Sequence, residues 1–366
     1  MFKNEEMEIN MGPQHPSTHG VLRLKLKLDG EIITSCQPII GYLHRGVEKI
    51  CENKSFFQSQ IWTDRMDYTS AIANNLGWAE AIEKLIGIVV PRKAHYIRTM
   101  LNELNRLASH LIWLATHGLD IGAMTVFLYA FREREDILDL FESFCGARLT
   151  TSAFRIGGLH EDLPQGFEQK TLAFLKRLPD CINEYETLLT ENRIWKKRTV
   201  GIGKLSSKDA IAMGVTGPVL RAAGVPYDIR KAFPYAAYSE MDFEIPIRTE
   251  ADTYARYLVR LEEMHQSHRI IQQCLDGLPE GPIMAKIPKV LKSEVNEIYH
   301  ATESPKGELG YYIVGEKGST NPYRFHVRAP GLLNLQALPM MIEGGPIADV
   351  ITTIGTLDVV LGEIDR

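Results

Sequence analysis

The stretch RKAHYIRTMLNELNRLASHLIWLAT, residues 92–116, decides the fold class. Ile97, Leu101, Leu104, Ala108, Leu111 and Ala115 return at intervals of three and four, which puts them on one stripe of an α-helix. The spacing predicts a helix that closes at His117-Gly118, because glycine accepts the left-handed conformation that ends helices. Asp120 then lies just outside a helix end. Upstream, TDRMDYTSAIANNLGWAEAIEKL (63–85) also has helical spacing, with Thr63 as an N-cap candidate and Tyr68 in the first turns. From about Gly46 to Asn192 the pattern stays helical, so a helix bundle forms the core.

The flanks have a different period. In VLRLKLKL (21–28), Leu22, Leu24, Leu26 and Leu28 alternate with Arg23, Lys25 and Lys27, as in a strand with one buried face. Asp29-Gly30 then turns the chain into the apolar run Glu31–Ile40, which predicts a hairpin. Residues 201–248, rich in Gly, Pro and Tyr, read as irregular. Glu250 to Leu275 reads as one more long helix, followed by strands over Gly310–Val314 and Tyr323–Arg328 and a glycine-punctuated tail. No repeat or flexible linker divides the chain. The expectation is one α+β unit over 1–366, with an N-terminal β region (1–45), a helical core (46–192) and an irregular, helical and stranded remainder (193–366).

At 366 residues the chain is long enough to bury a core unaided. A net charge of -5 opposes nucleic-acid binding, which needs a basic surplus. Cys36, Cys51, Cys145, Cys181 and Cys274 lie far apart without a CxxC pair, as expected of reduced thiols. MFKNEEMEIN lacks the features of a signal peptide, and no window reaches the roughly 18 apolar residues of a membrane span. The expected location is the cytoplasmic face of a membrane, reached through partner subunits.

The densest polar segment is GPQHPSTHG (12–20), where prolines and glycines frame His15 and His19. From the residues alone it is either a capped surface loop or a rigid mount that aims an imidazole. A metal reading lacks further ligands, and Pro16 opposes the helix that would bring the two histidines to one face. GIGKLSS (201–207) completes neither a dinucleotide loop nor a P-loop. Tyr68 alone reads as half-buried packing with its hydroxyl in water.

GPQHPSTHG, GYLHRGVEKICE, TDRMDY, ELNRLASHL, LDIGAMT, ERE, GAR, RIGG and the terminal GTLDVVLGEIDR resemble, in order and spacing, the 49-kilodalton (D) subunit family of complex I. The resemblance runs from Glu6 to Arg366. It implies a fold like that of nickel-iron hydrogenase large subunits. The hydrogenase CxxC pair would fall where Asp67 and Ser70 stand, and its second cysteine pair follows an Asp-Pro-Cys, whereas this chain stops at Asp365-Arg366. The resemblance therefore implies no metal or cluster bound by this chain.

What the family adds is a quinone substrate in the vacated cavity, with His19 and Tyr68 donating hydrogen bonds to its headgroup carbonyls. Reduction builds negative charge on those oxygens, which positioned donors stabilise while supplying protons. Asp120 matches the acid paired with the loop histidine, and a carboxylate there favours imidazolium. Arg45 matches the arginine beside the terminal iron-sulfur cluster of the adjacent B subunit. His44, Arg65 and Arg148 are expected in the same region. Thr150 stands where many relatives carry a histidine near that cluster. The implied activity is proton-translocating NADH:quinone oxidoreduction, with NADH oxidised elsewhere in the complex and with the B and C subunits and the membrane-arm H subunit as partners. The rival class is a structural assembly subunit of a related membrane-bound oxidoreductase using another electron donor or carrier.

Overall fold

The computed structural model describes residues 6–15 and 19–366, so Pro16, Ser17 and Thr18 of the histidine loop lie outside the described residues. The leucine alternation forms a strand as expected. In β2 (Arg23–Asp29), Leu24, Leu26 and Leu28 are buried while Lys25 and Lys27 point outward. β2 pairs antiparallel with β3 (Ile32–Ile39) through a tight turn in which Gly30 takes a φ of 62°, a conformation that glycine adopts without strain. A strand not anticipated from the sequence, β1 (Met7–Met11), pairs with the other edge of β2.

The helical core begins with α1 (Val47–Glu52), α2 (Phe56–Thr63), α3 (Ala71–Ile86), α4 (Arg92–Asp120) and α5 (Met124–Cys145). Two corrections concern the helix ends. Thr63 ends a helix instead of capping one, because Ser55 and Gln58 form a capping box that starts α2 earlier. The Asp67 carboxylate then accepts from the Thr69 N–H and from the Thr69 and Ser70 hydroxyls, which holds 64–70 as a turn between helices. Tyr68 sits in that turn. The second correction is that α4 runs through Gly118 to Asp120, so Asp120 is its last residue. Gly118 serves packing, with Val126 of α5 about 3.7 Å from where a Cβ would stand, and the left-handed glycine is Gly122 at φ 96°.

The stripe from Ile97 to Ala115 is buried, as the period predicts. The opposite face of α4 is buried too, which the pattern did not foretell. Arg98, Glu103, Arg106, His110 and His117 are all inaccessible, because elements from later in the chain cover them. After the short hairpin β4 (Phe154–Arg155) and β5 (Gly158–Leu159) come α6 (Phe167–Leu189) and α7 (Arg193–Thr199). The region expected to be irregular contains three short helices, α8 (Ser207–Ala212), α9 (Pro218–Arg221) and α10 (Ile229–Ala232). The predicted long helix is α11 (Thr253–Asp276), capped by the Asp252 carboxylate on the Ala255 N–H.

Buried charges here are paired, as the cost of desolvation requires. Glu263 on α11 accepts from Arg221 at 2.7 Å and contacts His110 at 2.8 Å, while Glu103 holds Arg106 and Arg230. Beyond α11 lies an antiparallel sheet of β6 (Glu297–Ser304), β7 (Gly307–Val314) and β8 (Arg324–Arg328). β7 and β8 match the expected strands. β6 escaped the period because its inward residues, His300, Thr302, Glu303 and Ser304, are polar. The glycine-punctuated tail folds as α12 (Pro330–Gln336), α13 (Leu338–Ile342), α14 (Asp349–Leu357) and α15 (Leu361–Asp365), which return under the N-terminal sheet. The architecture is mixed α+β, and no helix among the described residues is long and apolar enough to cross a membrane.

Candidate functional site

The C-terminal half of α4 organises the candidate site. Asp120 ends the helix, where the macrodipole disfavours a negative charge. A partner compensates: Asp120 Oδ2 lies 2.8 Å from His19 Nε2, with both side chains mostly buried. His19 itself has a φ of 51°, an uncommon left-handed conformation for a residue with a side chain, which the following bridge between His15 and Gly20 accommodates. One turn back on α4, His117 is fully buried between Trp113, stacked at 5.4 Å, and Trp195 at 5.3 Å. Burial, then the charges of His19, Arg260 and Arg256, hold its pKa well below the ordinary value, so it is neutral.

Tyr68 opens onto a separate cleft of about 410 Å³. Ile112 of α4, Leu138 of α5 and Leu149 give it apolar walls, and Arg134, Glu135 and Arg148 line it as well. The phenol is 46% exposed, and its hydroxyl makes no hydrogen bond among the described residues. Burial and the adjacent Asp67 raise its pKa, so it keeps its proton at neutral pH. Beneath it, Asp67 ion-pairs with the buried Lys306 at 2.9 Å, and Lys306 also reaches Asp358 at 3.4 Å.

The other expected residues are more scattered. Arg45 donates to the carbonyls of Arg65 (2.6 Å) and Gly362 (3.2 Å), which fixes its guanidinium near Tyr68. His44 faces another cleft, with Nδ1 on the Asp365 carbonyl at 2.7 Å. Arg65 turns back to the Ile61 carbonyl. Arg148 does line the Tyr68 cleft, but Glu135, Asp139 and Glu142 of α5 occupy its guanidinium. Thr150 is exposed. The structure thus pairs His19 with Asp120 and places Tyr68 near Arg45. No hydrogen bond joins these two groups among the described residues.

The profile of the family described as respiratory-chain NADH dehydrogenase, 49 Kd subunit, matches residues 120–295 and 289–366. The second of two NADH-quinone oxidoreductase D subunits of Solibacter usitatus is 59% identical over 361 residues, covering 99% of this chain and 97% of its own. The D subunits of Geotalea uraniireducens and Desulforamulus reducens are each 50% identical, covering all of this chain and at least 99% of their own. The chain belongs to the D-subunit family of NADH-quinone oxidoreductases. It is therefore a subunit of an oxidoreductase complex.

Sequence reasoning did not single out several groups around this family's candidate site. Lys306, Glu363 and His117 are buried, and Asp358 nearly so, beside the residues named from the sequence. Asp67 and Ser70, which stand in place of the hydrogenase cysteines, hydrogen-bond each other at 2.6 Å. Burial and the charge of Asp67 push Glu363 up to about 8. Nothing in the string DVVLGEIDR (358–366) signals this, because the shift arises from groups distant in sequence.

Proposed function

We propose that this chain forms the quinone-reduction site of the peripheral arm of a proton-translocating NADH:quinone oxidoreductase, together with the cluster-bearing B subunit. In this reading electrons arrive from the iron-sulfur cluster of that neighbour, close to Arg45. The C subunit and the membrane-arm H subunit are further neighbours, and the arm sits on the cytoplasmic face of the membrane. The observation that carries the reading is the Tyr68 phenol, protonated and without a hydrogen-bond partner among the described residues, at an open cleft with apolar walls. An aromatic headgroup fits such walls, and its carbonyl would supply the missing acceptor.

Two electrons and two protons convert the quinone to the quinol. Tyr68 gives one proton from its hydroxyl, and the imidazolium of His19 gives the other from its ring. Asp120 orients that ring through the 2.8 Å contact. Neutral His117 behind it leaves the Asp120 carboxylate as His19's charged partner. Tyr68→Phe tests the assignment because it removes one donor and almost no packing. Loss of a positioned donor costs roughly 10²–10³ in kcat. A Tyr68→Phe complex that assembles and reduces long-tail quinone at the wild-type rate refutes the role of Tyr68.

A further inference from the structure

Lys306 lies where lysine is rarely found. Pro305 and Lys306 form the two-residue loop joining β6 to β7, with Ser304 paired to Gly307. Hairpin tips ordinarily project into water, and lysine is almost never fully buried without a partner. Here the side chain is wholly inaccessible. The backbone is committed to this placement. Asn334 Nδ2 donates to the Lys306 carbonyl at 3.1 Å, and a Cβ on Gly217 would meet that carbonyl oxygen at 2.5 Å, so only glycine fits there.

The ammonium reaches the Asp67 carboxylate at 2.9 Å and the Thr69 hydroxyl at 2.9 Å, with Ser109 of α4 and Asp358 farther out at 3.4 Å each. Asp67 and Thr69 are the residues on either side of Tyr68. One buried cation therefore grips both neighbours of the tyrosine while leaving its phenol free. We infer that Lys306 is the positioning residue for Tyr68, fixing the phenol in the cleft and offsetting the negative charge left on its oxygen when it gives up a proton.

The electrostatics have the required sign. Burial disfavours the ammonium, but Asp358 and Asp67 outweigh it and hold the lysine charged. Tyr68 meets Asp67 from its own turn, Lys306 from the hairpin and Arg45 from the loop before α1. Arg134, Glu135 and Arg148 line the same cleft. Lys306 in turn faces Asp67, Asp358 and Glu363, with Arg260 behind Asp358. Asp67 alone would penalise a phenolate beside it, and Lys306 and Arg45 oppose that penalty.

The inference rests on Tyr68 being a proton donor, and a mutant cycle in the assembled complex separates the two claims. Lys306→Met should lower kcat for quinone reduction by about tenfold or more, the scale of a weakened general acid, with little change in KM. Because the phenol becomes harder to ionise, the basic limb of the pH profile should move to higher pH, and Lys306→Arg should restore both rate and limb. In the Tyr68→Phe background, Lys306→Met should cost nothing further, since its effect passes through the missing hydroxyl. Additive losses, or an unshifted pH limb, overturn the role of Lys306. A Tyr68→Phe complex with the wild-type rate overturns the donor reading itself. Thr69→Val severs one tie without stranding a charge and serves in the same cycle if Lys306→Met fails to assemble. Its cost should likewise vanish beside Tyr68→Phe, and a cost that persists there overturns the inference.

Discussion

Glu363→Gln should remove a pH dependence from the stability of this chain. Glu363 is fully buried, with Oε2 accepting the Gly331 N–H at 3.0 Å and Oε1 lacking a partner among the described residues. Burial first, and then the negative charge of Asp67, raise its pKa from the usual 4.5 to about 8, against the pull of Lys306. The folded state therefore holds this proton more tightly than the unfolded state. Below about pH 4.5 both states are protonated and the contribution to stability is complete. Between about 4.5 and 8 the unfolded chain ionises while the folded one does not, so stability falls as pH rises, and above 8 the contribution is gone. At about 1.4 kcal/mol per pKa unit, the gap of about 3.5 caps the effect at about 5 kcal/mol. Glutamine has nearly the same shape and cannot ionise. In urea unfolding at about pH 5, 7 and 9, the stability of Glu363→Gln minus that of wild type should climb by a few kcal/mol, with other titrations cancelling in the difference. Within the complex, an infrared band from a protonated carboxyl should persist to near pH 8 in wild type and be missing in the variant. Parallel stability curves together with no such band would refute the reasoning.

Gly77→Ala should destabilise the chain by about 1–2 kcal/mol in the same assay, although alanine normally favours a helix interior by nearly 1 kcal/mol. A Cβ there would meet Tyr311 Cε2 at 2.7 Å, and the ring is pinned by its hydroxyl bond to the Asn74 carbonyl. A stabilised variant would show that the β7 ring yields. On the proposed reading, Thr150→His should steepen the pH dependence of the midpoint potential of the neighbouring B subunit's terminal cluster towards the one-proton limit of about 59 mV per pH unit. A redox titration at several pH values checks this, and a wild-type slope already near that limit would assign the coupling to another group.

The fold was legible where one face of an element meets the core and the other meets water. The leucines of β2 and the stripe along α4 obey that condition, and their periods predicted the elements. The condition fails for β6, whose polar inner face binds Glu80 through His300 and Arg221 through Glu303. It fails again around Thr63, where the side chain of Asp67 competes with the backbone for the Thr69 N–H and opens a turn inside a helical pattern. Composition cannot show which polar groups will be covered. Covering depends on elements such as α11 and the β6–β7 hairpin, which arrive from more than a hundred residues away.

The candidate site shows the same limit more sharply, because each of its members departs from a local preference. His19 takes a left-handed φ, Asp120 stands at the end of a helix that disfavours its charge, and Lys306 is a hairpin-tip lysine without access to water. Residues alone left the histidine loop and Tyr68 open between packing and chemistry, and only the family resemblance named their roles. Such departures persist where the surrounding structure over-determines them, and here it does so with identifiable groups. His19 and Asp120 relieve each other across 101 positions of sequence, while Thr69 meets Lys306 from 237 positions away, with Asp67 beside it. A local pattern carries no trace of a partner at that range. Lys306 therefore reads in the sequence as an ordinary turn residue, and only the three-dimensional contacts place it beneath Tyr68.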